Sequence, residues 1–329
     1  MRRLLAAVLI VVLVLAGAFI FERVNFAAPG PVAPGGGRQS VVLISPGEHL
    51  LAISRQLAAD GVVRNSLLFA LGVRLRGQSG KLKAGEYAIP SRSSMNDVAA
   101  ILVAGQSIQH KLTAAEGLTS QMIYDIVRND PALLGDPGNL PPEGSLLPET
   151  YLYTRGMRRT EILARMHEAQ TIFLERAWRT RAPNLPFRNA EDAVVLASIV
   201  EKETAIPEER RHIAAVFINR LRLGMKLESD PTIIYGITKG YPLGRRIRES
   251  EVRAATPYNT YVISGLPPAP ICNPGKDAIS AVLAPEQSGD LYFVADGTGG
   301  HVFTASLAAH QRNVARWRQI ENATTALRP

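Results

Sequence analysis

The stretch "NAEDAVVLASIVEKET", residues 189–204, opens with a capping residue and closes with two acids. Asn189 can accept from the first free amides of a helix, and Glu191 and Asp192 fall where the helix dipole favours negative charge. Leu196, Ile199, Val200 and Glu203 then occupy i, i+3, i+4 and i+7, so they share the bulkiest face. Glu201 lies about 200° around the axis from Glu203, on a smaller face with Val194, Ala197 and Ser198. The two acids therefore cannot serve one site, and Glu203 is expected next to the core. Burial and the negative helix end both disfavour a carboxylate. A glutamic acid kept protonated near neutral pH meets the requirement for a general acid. The pattern alone also admits a helix-end residue paired with Lys202, Arg210 or Arg211.

Working outward, "IPEERRHIAAVFINRLRLGM" reads as the next helix. Pro207 suits its first turn, Glu208 and Glu209 its positive end, and Gly224 its C-terminus. Upstream, Thr160 to Arg179 carries Ile162, Met166, Ala169 and Phe173 on one face. Val41–Ile44, a helix with Leu50, Ile53 and Leu57, a second helix over 66–76 and the strand "LKAGEYAI" give a β-α-α-β order. That order suits a LysM-like module, a class that binds N-acetylated glycans, and equally a small α+β spacer without sugar affinity. Near the C-terminus, "GTGGH" between "LYFVAD" and "HVFTAS" reads as a hairpin turn and not a phosphate loop, because no helix follows it directly.

The N-terminus carries a different signal. Arg2 and Arg3 precede an unbroken apolar run from Leu4 to Phe21. A helix of that length rises about 27 Å, close to the hydrocarbon thickness of a bilayer. A cleaved signal peptide has a shorter core and a small-residue cleavage site. The run is therefore expected to be an uncleaved span with the arginines on the cytoplasmic side. The Pro- and Gly-rich "AAPGPVAPGGG" after it is expected to be a mobile tether.

With 329 residues, 46% hydrophobic and 20% charged, the rest should fold as a globular protein of two or three domains. The net charge is +8, but the arginines are dispersed and no zinc-finger or RNP-like spacing accompanies them. This argues against a nucleic-acid partner. The single cysteine, Cys272, excludes an intramolecular disulfide and any multi-cysteine metal site, and is read as a small buried side chain. The six histidines show no metal-ligand spacing, so neither metal nor cofactor is expected, and His301 and His310 are read as structural.

"LASIVEKET" (196–204), "VFINRLRLGMKLESDPTIIYG" (216–236), "TPYNTYVISGLPPAPICNPG" (256–275) and "LYFVADGTGGHVFT" (291–304) strongly resemble the YceG-like endolytic murein transglycosylases. "LKAGEYAI" and "LLPETYLY" extend the likeness upstream, so it covers about Val41 to Arg318. The resemblance implies an inner-membrane, single-pass protein with its catalytic part in the periplasm. It implies internal cutting of nascent peptidoglycan strands at the MurNAc-GlcNAc β-1,4 linkage, which leaves 1,6-anhydroMurNAc ends. Such an enzyme is a carbon-oxygen lyase acting on a polysaccharide. The family's catalytic glutamate, the second in "EKET", falls on Glu203. Proximity to peptidoglycan synthases, the penicillin-binding proteins, is also implied. The family's "GLPPGPI" reads "GLPPAPI" here, which puts in doubt any role needing positive φ at Ala269.

Candidate sugar-holding residues are Asp230, Tyr235, Tyr258, Asn259, Tyr261 and Asn273. Glu228 lies in the same stretch, and Glu149 is a weaker candidate for lining the cleft. Tyrosines can pack on pyranose faces and asparagines can bond N-acetyl groups. Core packing and loop hydrogen bonds explain the same residues, and Asp230 before a proline also fits a turn. The expected architecture is α+β: a transmembrane anchor (1–21), a flexible linker (22–40), a LysM-like glycan-binding module (41–110), an intermediate subdomain (111–185) and a mixed α+β catalytic domain (186–329). The competing functions are a hydrolytic muramidase using the same acid, and a non-catalytic glycan-binding scaffold of the cell-wall synthesis machinery.

Overall fold

The computed structural model describes residues 2–326. Met1 and 327–329, which the expected anchor and catalytic domain include, lie outside the described residues, as do the side chains of Arg2 and Arg3. Helix α1 spans Arg2–Ala27, and its Val8–Ala27 segment is long and apolar enough to cross a membrane, with a mean hydropathy of 2.2. Its large apolar side chains between Leu5 and Phe21 are exposed.

The chain divides into two units. The first comprises residues 1–111, 132–134 and 152–157. Strand β1 (Gln39–Ile44), helices α2 (Leu50–Ala59) and α3 (Ser66–Leu75) and strand β2 (Gly85–Pro90) follow in the expected β-α-α-β order. β1 and β2 are antiparallel, with Val42 opposite Tyr87. Alternation sends Val42, Ile44, Tyr87 and Ile89 to one face, where Leu57, Phe69 and Val73 cover them. Asn65 caps α3 by accepting from the amides of Leu67 and Leu68. Helix α4 (Met95–Ala104) starts in a Ser94–Asp97 capping box and adds Val98 and Leu102 to the core.

The segment expected as a tether is not free chain throughout. α1 continues to Ala27, and Phe26 and Ala33 are buried. The segment pairs with Arg92 through the backbone, Gly30 N donating to Arg92 O and Arg92 N to Pro31 O. Proline and glycine here shape a packed path, because the buried Phe26 fixes one end and the turn at Arg92 holds the middle.

Strands β3 (Gln109–Thr113) and β4 (Thr150–Thr154) pair in a second two-stranded sheet. The second unit comprises residues 112–131, 135–151 and 158–329, so most of the expected intermediate subdomain belongs with the expected catalytic domain. It contains α5 (Ser120–Asn129), α6 (Arg159–Arg179), α7 (Ala190–Glu203) and α8 (Arg210–Arg222), the last entered through a 3₁₀ turn at Pro207–Glu209. Then come α9 (Asp230–Thr238), α10 (Glu249–Val252), α11 (Lys276–Leu283), the hairpin β5 (Tyr292–Ala295) and β6 (His301–Thr304), and α12 (Leu307–Ala326). Ala295 pairs with His301, so the Gly-rich segment is a hairpin turn. Leu196, Ile199 and Val200 of α7 form the core with Ile213 and Phe217 of α8 and Ile279 of α11. The architecture is mixed α+β.

Candidate active site

Every residue of α7 from Ala193 to Val200 is buried. The face carrying Val194, Ala197 and Ser198 is thus as enclosed as the bulky one, and both terminal acids enter packed surroundings. Sequence periodicity favoured only Glu203 for the core. The other face is covered because the loop before α11 is stitched onto it. Ile271 N donates to Ser198 Oγ at 2.9 Å, and Cys272 Sγ lies 3.4 Å from Ser198 O. Gly275 N donates to Glu201 Oε2 at 2.9 Å. Arg210 closes this side, 4.0 Å from Glu201, 3.8 Å from Glu116 and 3.3 Å from Asp277. Burial raises the Glu201 carboxyl above its ordinary range, against the Gly275 amide and Arg210.

Glu203 faces different chemistry. It is half-buried, and Ser229 Oγ donates to its Oε1. Ser229 is itself buried and held on both sides: its amide donates to Thr260 Oγ1 at 2.9 Å, and its carbonyl accepts from Thr232 Oγ1 at 2.6 Å. Ser229 stands at the N-cap of α9, yet its hydroxyl makes no capping bond and turns to Glu203 instead. The residue before it, Glu228, has φ of +54°, a conformation unfavourable for a side-chain-bearing residue. Arg220 holds Glu228 there by donating to its carboxylate at 3.1 Å and to the carbonyls of Lys226 and Leu227. Burial lifts the Glu203 carboxyl from its ordinary value of 4.5 to about 7. The Ser229 hydrogen bond opposes the rise, the charge of Asp230 adds to it and His301 reduces it.

The structure brings Asp230 and Tyr261 to this acid. Asp230 is exposed, and Tyr261 donates to its Oδ1 at 2.8 Å. Burial and the nearby carboxylates push the Tyr261 phenol up. The other four candidates lie elsewhere in the unit's framework. Asn259 is buried and its amide donates to the carbonyls of Glu251, Val252 and Ala254, closing the turn after α10. Asn273 is fully buried; it accepts from Leu146 N at 2.9 Å and donates to Leu118 O, Ser120 Oγ and Glu143. Tyr235 is buried, donates to Glu143 Oε2 at 3.2 Å and packs 4.8 Å from the half-buried Tyr258. Both asparagines thus spend their amides internally, and contact with a sugar would require opening these turns.

Three features were not singled out from sequence. Ser229 looked like an ordinary cap before "DP". Glu209 had a sufficient explanation at a helix start, but it accepts from Thr204 Oγ1, from His301 N and from the His301 ring at 2.7 Å. Glu143 sits in a turn of prolines and glycines and gathers Ser120, Tyr235 and Asn273; burial raises its carboxyl. Glu149, weighed as a cleft residue, is engaged by Lys276. Ala269 does not adopt positive φ, so its replacement of glycine carries no backbone strain. Among the described residues no group of three or more His, Cys, Asp or Glu side chains is arranged to hold a metal ion.

A cavity of about 910 Å³ lies at the opposite end of α7, lined by Asn189–Asp192, Trp178 and the prolines 267–268. Glu203, Ser229, Asp230 and Tyr261 do not line it, so volume and chemistry do not coincide. The perturbed acid with its fixed hydroxyl partner is the better marker of the site.

The profile of the YceG-like family matches residues 42–316. The chain belongs to the YceG-like family. Proteins named endolytic murein transglycosylase are among its relatives. One from Bacillus subtilis is 25% identical over 341 residues, covering 94% of this chain and 92% of its own length. Another from Streptococcus pneumoniae is 29% identical over 337 residues; the match covers 87% of this chain but 59% of that protein. The crystal structure of a YceG-like protein from Listeria monocytogenes superposes with a TM-score of 0.53 at 26% identity, covering 84% of this chain and 98% of that one. The family match thus spans Glu203, and the likeness of fold extends over most of the chain.

Proposed function

We propose that this chain is an endolytic murein transglycosylase that cleaves the MurNAc-GlcNAc linkage of nascent glycan strands, with Glu203 as acid and then base. The observation that carries the reading is the half-buried Glu203 carboxyl with its pKa near 7 and its single hydroxyl partner, Ser229. Such a group holds a proton at neutral pH and can also release it. Protonated Glu203 gives its proton to the glycosidic oxygen as the bond to the muramoyl C1 breaks. The carboxylate left behind takes the proton of the muramoyl C6 hydroxyl, whose oxygen bonds to C1. The acid is regenerated, no water is consumed and an anhydro end results. Because the nucleophile belongs to the substrate, intramolecular attack at effective molarities of about 10⁵–10⁸ M can outrun water. The 2-acetamido group can stabilise the oxocarbenium-like state, as in substrate-assisted glycosidases.

The names of the relatives support the substrate class. We read α1 as an uncleaved inner-membrane span with its N-terminus cytoplasmic and the remainder periplasmic, the β-α-α-β unit as a LysM-like glycan-binding module, and peptidoglycan synthases as neighbours. One observation favours a second reading, a hydrolytic muramidase: the exposed Asp230 carboxylate lies close enough to raise Glu203 and could activate water. Digestion of isolated sacculi by the purified protein, with mass spectrometry of the products, separates the two. Anhydro ends are lighter by one water than reducing ends. Reducing ends would establish hydrolysis, and intact strands would leave only a scaffold.

A further inference from the structure

Near its C-terminal end α1 is packed on one side, at Glu22 and Phe26, while its large apolar side chains between Leu5 and Phe21 are exposed. Phe21 ends the exposed apolar run, and the next residue, Glu22, is buried. Arg76 Nη1 meets Glu22 Oε1 at 2.7 Å, and its guanidinium lies 3.8 Å from the Phe26 ring centroid. Phe26 stacks on Phe69 at 6.1 Å. A Cβ at Gly72 would fall 2.2 Å from the Phe26 ring and 2.8 Å from Glu22, so only glycine allows this approach. Glu22 and Phe26 are about 6 Å apart along the axis of α1. Helix α3 is therefore clamped to α1 within about a turn and a half of the point where the exposed apolar run stops.

The free side of α3 is apolar. Leu67, Leu71 and Leu75 are 69%, 46% and 56% exposed. Their i, i+4, i+8 spacing makes one stripe, and Leu68 extends it toward the α1 contact. Arg74 is exposed in the last turn of the same helix, and Arg23 is exposed on α1. Leucines on one flank with arginines beside them are the composition of a helix that lies in a membrane interface, with cations available to anionic headgroups.

We propose that α3 lies on the lipid bilayer, its Leu67–Leu71–Leu75 stripe entering the headgroup and acyl boundary, so that the β-α-α-β unit is seated on the membrane. The inference rests on the reading of α1 as a membrane span. The clamp sets the height of α3 once α1 spans: Arg76 sits level with Glu22, one residue beyond the exposed apolar run. A seated module has a fixed height, and lipid covers leucines that folding leaves in water.

The test uses the full chain in vesicles of phosphatidylethanolamine and phosphatidylglycerol. Nitroxide labels are placed singly at Val12→Cys, Leu71→Cys and Leu75→Cys; the native Cys272 is buried and stays unlabelled. The expected result is that all three labels lose access to a water-soluble nickel chelate and gain access to lipid-dissolved oxygen, with Val12 the deepest. Lipid exposure at Val12 with Leu71 and Leu75 open to the chelate would overturn the seating and leave the span intact. Chelate access at Val12 would overturn the span and the seating together. Dipolar broadening between labels at Leu71 would assign the stripe to a second copy of the chain and overturn the proposal as well.

Discussion

Glu201 and Glu203 lie two residues apart at the same end of α7, both are enclosed, and burial raises both carboxyls. Their surroundings differ in kind. Glu201 meets a loop amide and the guanidinium of Arg210, itself shared with Glu116 and Asp277. Glu203 meets one serine hydroxyl on a buried frame, with an exposed aspartate beside it. Burial alone therefore does not mark a catalytic acid. Glu201 is held by a guanidinium and a backbone amide, partners that favour its charged form, whereas the described partner of Glu203 is a neutral hydroxyl, which leaves it the better candidate for proton transfer.

The largest expected effect breaks the comparison at Glu203. Glu203→Gln keeps the shape and the hydrogen-bonding reach but cannot donate its proton, so the rate of anhydro-end formation should fall by about 10²–10⁴-fold. The same substitution should stabilise the fold at high pH. The folded carboxyl binds its proton more tightly than the unfolded one, so wild-type stability declines as pH rises from about 4.5 through 7. The glutamine variant escapes that decline, by about 1–2 kcal/mol once solvent screening of a partly buried group is allowed for. Chemical denaturation should show the two proteins equal below pH 4.5 and the variant ahead above pH 7. Undiminished release of anhydro ends would remove Glu203 from the mechanism.

Glu201→Ala should do the reverse. It frees the Gly275 amide and leaves Arg210 short of one carboxylate, which should cost about 1–3 kcal/mol. The melting temperature should drop while activity per folded molecule stays within a few-fold of wild type. A variant of normal stability with abolished turnover would exchange the roles assigned to the two acids.

Ser229→Ala sharpens the comparison by removing the one bond that restrains the rise at Glu203. A hydrogen bond to a charged group contributes about 1.5–3 kcal/mol. Its loss should move the descending limb of the pH–rate profile upward by roughly one to two units and slow turnover as the acid loses its orientation. An unshifted limb would mean that the group titrating in the profile is not Glu203.

Much of this was visible in the chain because helix-forming signals are local. Asn189 caps α7, Gly224 ends the turn after α8, and the β-α-α-β order follows from short apolar runs with turn residues between them. The 3.6-residue period placed Glu203 on an apolar face. The same period misjudged Glu201, because the loop that buries it arrives more than seventy residues later, and α7 reads as two-faced only when that loop is ignored. Asn259 and Asn273 looked like sugar ligands for the same reason: an asparagine's partners are backbone groups that one-dimensional patterns do not register. Ser229 was hidden because a serine before Asp-Pro has an adequate local explanation, and only its hydroxyl direction shows that it does not cap. The packed end of α1 was missed because the clamp joins residues about fifty positions apart.

The smallest expected effect concerns Asp230, and its sign opposes that of Ser229→Ala. The aspartate's charge raises Glu203, after burial and the serine bond in importance. Asp230→Asn removes the charge and keeps a group that can still meet Tyr261. The descending limb should therefore shift downward, by less than the serine substitution shifts it up. At neutral pH less of the acid is protonated, so turnover at pH 7 should fall by a few-fold, while at lower pH the variant should approach wild type. The products carry the sharper information. If Asp230 acts only through its field, anhydro ends persist unchanged at every pH. If it activates water, the product ratio changes with the substitution while the Glu203 limb still moves, and the exposed carboxylate becomes part of the chemistry.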